Sequence, residues 1–272
     1  MNDERTARWM SIHPEETFLV KRLDELIEKA ALGTFRLSFF VDPRGLALAR
    51  ARAQAKGVAL FAYGGYEGAE RVRLLFAPGG LAGDVADGYE NSETMELGLV
   101  EVHFSTSDET VSHRAALGAL LGLGIKRDAL GDILLAPLSG RAALVTTDTL
   151  APFIAEHLHA IGRTAVRAEV ARSLPPELLH KERGEERSLF ASSLRLDALL
   201  KEALHLSRER AQRLIQKGAV KVSFRPVDAA DFPIEPGDVL SVRGYGRIYI
   251  DDVLGQSKKG RIQLRVRLLL SP

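Results

Sequence analysis

Apolar residues recur every third or fourth position from 16 to 31, where Phe18, Leu19, Leu23, Leu26, Ile27 and Ala30 mark one side of a helix that Gly33 closes. The run Leu37-Ser38-Phe39-Phe40-Val41 then reads as a strand. Asp42-Pro43 fits an N-cap followed by proline at the first helical position, which predicts a helix to Lys56, ended by Gly57. Strands follow at 58–63 and 72–76, so residues 1–80 make a small α/β unit. Between these strands lies Gly64-Gly65-Tyr66-Glu67-Gly68-Ala69-Glu70-Arg71. A glycine-rich turn after a strand can cradle phosphate, but the dinucleotide fingerprint requires a helix next, and here a strand follows. A hairpin loop with positive φ at Gly64 and Gly65 is the expectation.

Residues 79–93, rich in Gly and Asp, read as a linker or long loop. Beyond them the pattern predicts a strand at 95–104, a helix from Ser112 carrying Leu117, Leu120 and Leu121, and strands at 133–135 and 142–145. A helix at 150–158 and a strand at 165–170 complete it. The order βαββαβ is the split βαβ, ferredoxin-like arrangement used by many RNA-recognition domains, here over 90–172. Such domains stack bases on aromatic residues of the third strand. Gly140-Arg141-Ala142-Ala143-Leu144-Val145 has none, so a scaffold or contact surface is expected instead. Residues 172–187, with two prolines and dense charge, read as a second linker.

The remainder, 187–272, holds two short helices and a set of strands. Leu196, Leu199, Leu200 and Leu204 stripe the first helix, and Leu206 ends it. Ser207 stands where an N-cap belongs and Gly218 where a left-handed C-terminal residue belongs, which bounds the second helix at 208–217. Its apolar side is Ala211, Leu214 and Ile215; Arg210, Arg213 and Lys217 share another face, and Arg208 projects near the start. Strands are expected at 220–223 and 239–242, crowned by Arg225, Arg243 and Arg247. The terminal run 261–270 alternates Arg261, Gln263, Arg265 and Arg267 with apolar residues, giving one buried and one basic face. The fold class is therefore α+β, in three domains.

Charge sharpens this picture. From Arg187 onward there are 16 Lys and Arg against 9 Asp and Glu, a net of +7, whereas the preceding residues carry 21 against 27, a net of −6. One basic segment in an otherwise acidic chain points to a polyanion partner, because each phosphate neutralised releases counterions. The candidate RNA contacts are Arg195, Lys201, Ser207, Arg208, Arg210, Arg213, Lys217, Lys221, Arg225, Arg243 and Arg247, with Lys258 and Lys259 extending the surface.

Chemistry finds little footing. The chain has no cysteine, which excludes disulfides, thiolate metal sites and thiol nucleophiles. None of its seven histidines pairs with another at metal-ligand spacing beside a carboxylate on one helix face, so no metal site is expected. Ser112-His113-Arg114 reads as a helix N-terminus rather than a catalytic group. Gly122-Leu123-Gly124 follows a helix rather than a first parallel strand, unlike a methyltransferase cofactor loop. No cofactor and no catalytic residue is assigned. The amino terminus lacks an apolar core of signal-peptide type, and no stretch approaches about 18 apolar residues. A cytoplasmic protein without a membrane span is expected.

The basic segment resembles the S4 RNA-binding domain in Arg195-Leu196-Asp197, Ser207-Arg208, Ala211, the LIQKGAVKV run at 214–222, Pro226 and the GDVLSVRGYGR run at 237–247. Ser223 departs from it, standing where many relatives carry Asn. Arg195-Leu196-Asp197 also looks like the aspartate motif of pseudouridine synthases, but continues as Ala198-Leu199-Leu200 inside the S4 pattern. With Phe40-Val41-Asp42-Pro43, the 64–71 loop, the run from Ser112 to Arg127 and Gly131-Asp132-Ile133, nearly the whole chain resembles the YlmH family of bacterial and plastid proteins. That resemblance implies a non-enzymatic factor that binds rRNA and tRNA on the large ribosomal subunit in rescue of stalled translation; a monomer is expected. A cell-division role is sometimes attached to it. The alternatives are an RNA-modifying enzyme with an appended S4 domain, pseudouridine synthase or methyltransferase, and a division scaffold.

Overall fold

A computed structural model describes residues 11–79, 89–106, 111–179, 184–257 and 260–270. They form two compact units, one within 19–181 and one that joins the chain from 182 onward to its opening residues up to 18. Lys258, Lys259 and most of the first expected linker lie outside the described residues. No described helix is long and apolar enough to cross a membrane.

In the first unit, helix α1 (Thr17–Ala31) buries Val20, Leu23, Ile27 and Ala30, the stripe its periodicity predicts. After strand β1 (Arg36–Leu37) comes α2 (Pro43–Ala55), with Pro43 at its first position and the Asp42 carboxylate accepting the Gly45 amide at 2.9 Å. Strands β2 (Ala59–Tyr63) and β3 (Arg73–Ala77) form a hairpin, and the antiparallel order is β1-β3-β2. The strand expected at 37–41 is cut short. The Ser38 hydroxyl takes the Leu74 amide at 2.9 Å, the Phe40 amide turns to the Asp128 carbonyl at 2.8 Å, and only a single bridge, Val41 to Val72, resumes pairing. In the hairpin loop Gly65 has φ +92°, as expected, but Gly64 does not have positive φ. Gly64 is needed for closeness, since a Cβ there would stand 2.5 Å from the Arg71 carbonyl oxygen.

The same unit continues with β4 (Leu97–Phe104), α3 (His113–Gly122), β5 (Leu130–Ala136), β6 (Arg141–Thr147), α4 (Ala151–His157), β7 (Ala160–Ile161) and β8 (Thr164–Ala171). The antiparallel order β5-β6-β4-β8-β7 contains the split βαβ arrangement. Ser112 caps α3, its Oγ accepting the Ala115 amide at 3.2 Å, which is the capping role read from sequence. Val100 and Val102 face the helices, packing with Ala116, Leu120 and Ile154. Leu97, Leu99 and Val145, on the opposite face, pack with Phe40, Phe61 and Leu75. The stretches set out as 1–80 and 90–172 thus share an apolar layer and pack as one unit.

The second unit is a six-stranded antiparallel sheet with two helices. Its elements are β9 (Glu185–Ala191), α5 (Leu196–Ala203), α6 (Arg208–Gln216), β10 (Val220–Val222), β11 (Arg225–Pro226), β12 (Val239–Val242), β13 (Gly246–Gln256) and β14 (Ile262–Leu270). The order is β11-β10-β12-β13-β14-β9. Strand β9 occupies the end of the second expected linker, because Glu185, Glu186 and Arg187 pair with Leu268, Arg267 and Val266. Leu196, Leu199 and Leu200 of α5 and Ala211 and Ile215 of α6 are fully buried against Val220, Val222, Leu240, Ile248 and Leu264. Each such leucine or isoleucine contributes roughly 2 kcal/mol by leaving water.

Candidate nucleic-acid interface

Two local devices hold α6. The Ser207 hydroxyl accepts the Arg210 amide at 3.2 Å, and Gly218 closes the helix with φ +64°. Beneath it, Asp197 has no exposed side-chain surface and accepts hydrogen bonds from Arg195 Nε at 3.1 Å, Arg208 Nε at 3.2 Å and Gln212 Nε2 at 3.1 Å. Burial alone pushes this carboxyl up, but hydrogen bonds from Arg195, Gln212 and Arg208 outweigh it and hold the carboxyl below its usual range. The burial is shallow, since Arg195 and Arg208 cover the carboxylate with side chains 41% and 64% exposed. In the sequence Asp197 stands out only as part of the Arg195-Leu196-Asp197 motif. Its place in the first turn of α5 facing α6 makes it the tie between the two helices.

Apart from Ser207, Arg247, Lys258 and Lys259, the expected contacts fall into three groups. Arg210, Lys217, Lys221 and Arg243 are exposed and have no partner among the described residues. They sit close together in the fold. Arg210 lies in the first turn of α6 and Lys217 caps its end, the Arg243 amide donates to the Ala219 carbonyl at 2.9 Å, and Lys221 pairs with Ser241, whose other neighbour is Arg247. Arg247 leans over the Phe224 ring, 5.5 Å from its centroid. The second group is engaged with carboxylates: Arg195 and Arg208 on Asp197, Arg213 on Glu209 at 2.9 Å, and Lys201 on Glu202 at 3.3 Å.

The third group is Arg225, which does not belong on the surface. It is only 7% exposed, donates to Ser11 Oγ at 2.8 Å and lies over the Phe232 ring. The turn Ser223-Phe224, with φ +44° and +70°, sends the chain back along β10, and Ser11 from the opening segment covers the side chain. Ser223 is anchored by donating to Asp238 Oδ1 at 2.9 Å and accepting the Val239 amide at 3.2 Å.

The basic face expected on β14 is also not free. Arg265 meets Asp252 at 3.2 Å, Arg267 meets Asp251 at 2.8 Å, and Arg261 meets Glu202 at 3.0 Å. Alternation within one strand could not show this, because the carboxylates come from β13 and α5.

In the first unit, the loop 64–71 and the Gly131-Asp132-Ile133 run interlock. Asp132 accepts the Tyr66 hydroxyl at 2.6 Å and the Glu70 and Arg71 amides at 2.7 and 3.0 Å. Burial, then the bond to Asp132, pushes the Tyr66 phenol well above its ordinary value. The central sheet's second face is occupied. Half lies under Phe40, Phe61 and Leu75, and the other half carries Glu101, His103 and Glu169, whose donor atoms all lie within 4.8 Å. Sequence spacing missed this trio because Glu169 comes from the neighbouring strand β8. Glu101 already accepts the Arg141 guanidinium at 2.7 Å, and Arg141 also pairs with Glu177, so a side-chain cation stands where a metal would be sought.

Fold and interface together define an α+β, S4-type RNA-binding protein, in which paired helices and a strand carry exposed cations on one compact unit. The S4 domain family model matches residues 194–240, and the model described as "Putative RNA-binding domain in YlmH" matches 91–173. The chain is 33% identical over 226 residues to "Ribosome-associated protein quality control protein P2" of Bacillus subtilis (strain 168), covering 83% of this chain and 84% of that protein. It belongs to the YlmH family. A solved structure, "Cell division protein ylmH from Streptococcus pneumoniae", is 26% identical and covers 60% of this chain and 94% of that chain, with a TM-score of 0.47. A shorter match, 41% identity over 51 residues, links it to an "Uncharacterized RNA pseudouridine synthase" of Aquifex aeolicus (strain VF5), covering 19% of this chain and 21% of that protein.

Proposed function

We propose that this chain is a non-catalytic RNA-binding factor of the cytoplasm, acting as a monomer on the large ribosomal subunit in rescue of stalled translation. The observation that carries this reading is the group Arg210, Lys217, Lys221 and Arg243, whose exposed side chains form no ion pair among the described residues. An unpaired cation on a helix held by its cap and by Asp197 meets phosphate without first giving up a carboxylate. Contacts of this kind follow the path of a phosphate backbone, so folded rRNA or tRNA is read by shape rather than base sequence. The ribosomal destination is supported by the similarity to the ribosome-associated quality control protein across most of both chains.

The test is cosedimentation with large ribosomal subunits. Reversing Arg210 and Lys217 to Glu abolishes it, and unchanged association removes the S4 face from the account. The 51-residue likeness to a pseudouridine synthase motivates one rival, an RNA-modifying enzyme. Nucleoside analysis of RNA from cells lacking the protein decides that, since a modification that disappears and returns with the wild-type gene favours the enzyme. A scaffold that binds only protein predicts association that survives ribonuclease.

A further inference from the structure

Two stretches that the interface leaves unused, Phe39-Phe40-Val41-Asp42-Pro43 and the end of the Ser112–Arg127 run, meet in the first unit. Phe39, Lys126 and Asp128 line an open cleft of about 470 Å3 together with Arg22 and Lys29 of α1, within the range of about 300–1,000 Å3 typical of ligand sites. The Arg22 guanidinium lies over the Phe39 ring, 3.6 Å from its centroid, and is held there by Asp128 at 2.6 Å. A ring and a guanidinium stacked in this way form a platform on which a nucleobase stacks, aided by the positive charge.

The charges of the cleft favour an anion. The Asp128 carboxylate is engaged by Arg22, and Arg73 is buried, donating to the Ser38 carbonyl at 2.9 Å and the Met95 carbonyl at 2.7 Å. Lys29 and Lys126 remain, exposed and without a partner among the described residues, against the single carboxylate of Glu25. They approach from different walls, one on α1 and the other on the turn before β5. The face of the central sheet that would ordinarily stack bases is covered by Phe40, Phe61 and Leu75 or filled by the Glu101 and Arg141 pair.

We infer that this cleft binds one nucleotide of single-stranded RNA, its base against Arg22 on Phe39 and its phosphate between Lys29 and Lys126. The site takes from the proposed function only the class of ligand and is independent of the S4 contacts. Its test is photocrosslinking of the full-length protein to a short oligouridylate carrying 4-thiouridine, with the crosslinked peptides identified by mass spectrometry. Peptides holding Phe39 or Lys126 crosslink in the wild type. In K29E/K126E their yield falls at least about tenfold, while the thermal midpoint and the S4 crosslinks stay unchanged. In R210E/K217E the S4 crosslinks fall and the cleft crosslinks persist. Absence of cleft crosslinks in the wild type, equal yield in K29E/K126E, or their loss in R210E/K217E overturns the site. Failure of the S4 reading shows separately, as S4 crosslinks indifferent to R210E/K217E.

Discussion

Two faces of the S4 unit carry basic residues and do different things with them. Around α6, β10 and β12, Arg210, Lys217, Lys221 and Arg243 are exposed and pair with no carboxylate among the described residues. On β13 and β14, Arg265 and Arg267 face Asp252 and Asp251 across the ladder. An exposed ion pair adds only about 0–1 kcal/mol to stability, so the main result of the second arrangement is to cancel charge. Counting cations therefore overstates the electropositive surface, and register decides which of them can release counterions from RNA.

Charge reversal on the free face separates the two faces most strongly. R210E/K217E lowers affinity for structured RNA by roughly a hundredfold at 0.1 M salt, and alanine at both positions lowers the slope of log affinity against log salt by about 1.8. Filter binding across a salt series measures both. Asp197→Asn comes next, costing about 2 kcal/mol because hydrogen bonds to a charged acceptor become weaker neutral ones. Urea unfolding gives the value, and its pH dependence gives the cause. The folded-state carboxyl titrates below the unfolded-state value of about 3.9; its contribution is complete above that pH and is lost as pH falls through the folded value. The gap between wild type and Asp197→Asn therefore narrows below about pH 4, and a gap that widens there excludes the buried carboxylate as its source. Ser207→Ala costs about 1 kcal/mol of stability by leaving the Arg210 amide uncapped, read as a lower urea midpoint. The smallest effect is expected of R265A/R267A, which changes RNA affinity less than about twofold and leaves the salt slope unaltered. A slope that falls as far as with R210A/K217A makes the two faces equivalent.

Much of the fold was legible because its signals are local. Ser207 and Gly218 bounded α6 within a residue, and Asp42-Pro43 placed the start of α2. The βαββαβ order followed from periodicity alone. The strand expected at 37–41 was not legible in full, because its Phe40 amide finds a carbonyl nearly ninety positions away, at Asp128. At the interface, Ser207 and the α6 cations stand where helical spacing puts them. Arg225 does not, since the residue that covers it, Ser11, lies at the other end of the chain.

The α+β class, the helices and their caps, and the concentration of positive charge in the last third of the chain are written in local sequence. Those properties depend on neighbours within a few positions, or on composition, and need no knowledge of what meets what. Which cations are free, the burial of Arg225, the joining of two helices by Asp197, and the cleft shared by Arg22, Phe39 and Lys126 emerge from folding. Each of these depends on groups brought within a few ångströms by packing and strand register, and Coulombic and hydrogen-bond energies are set by that separation rather than by distance along the chain.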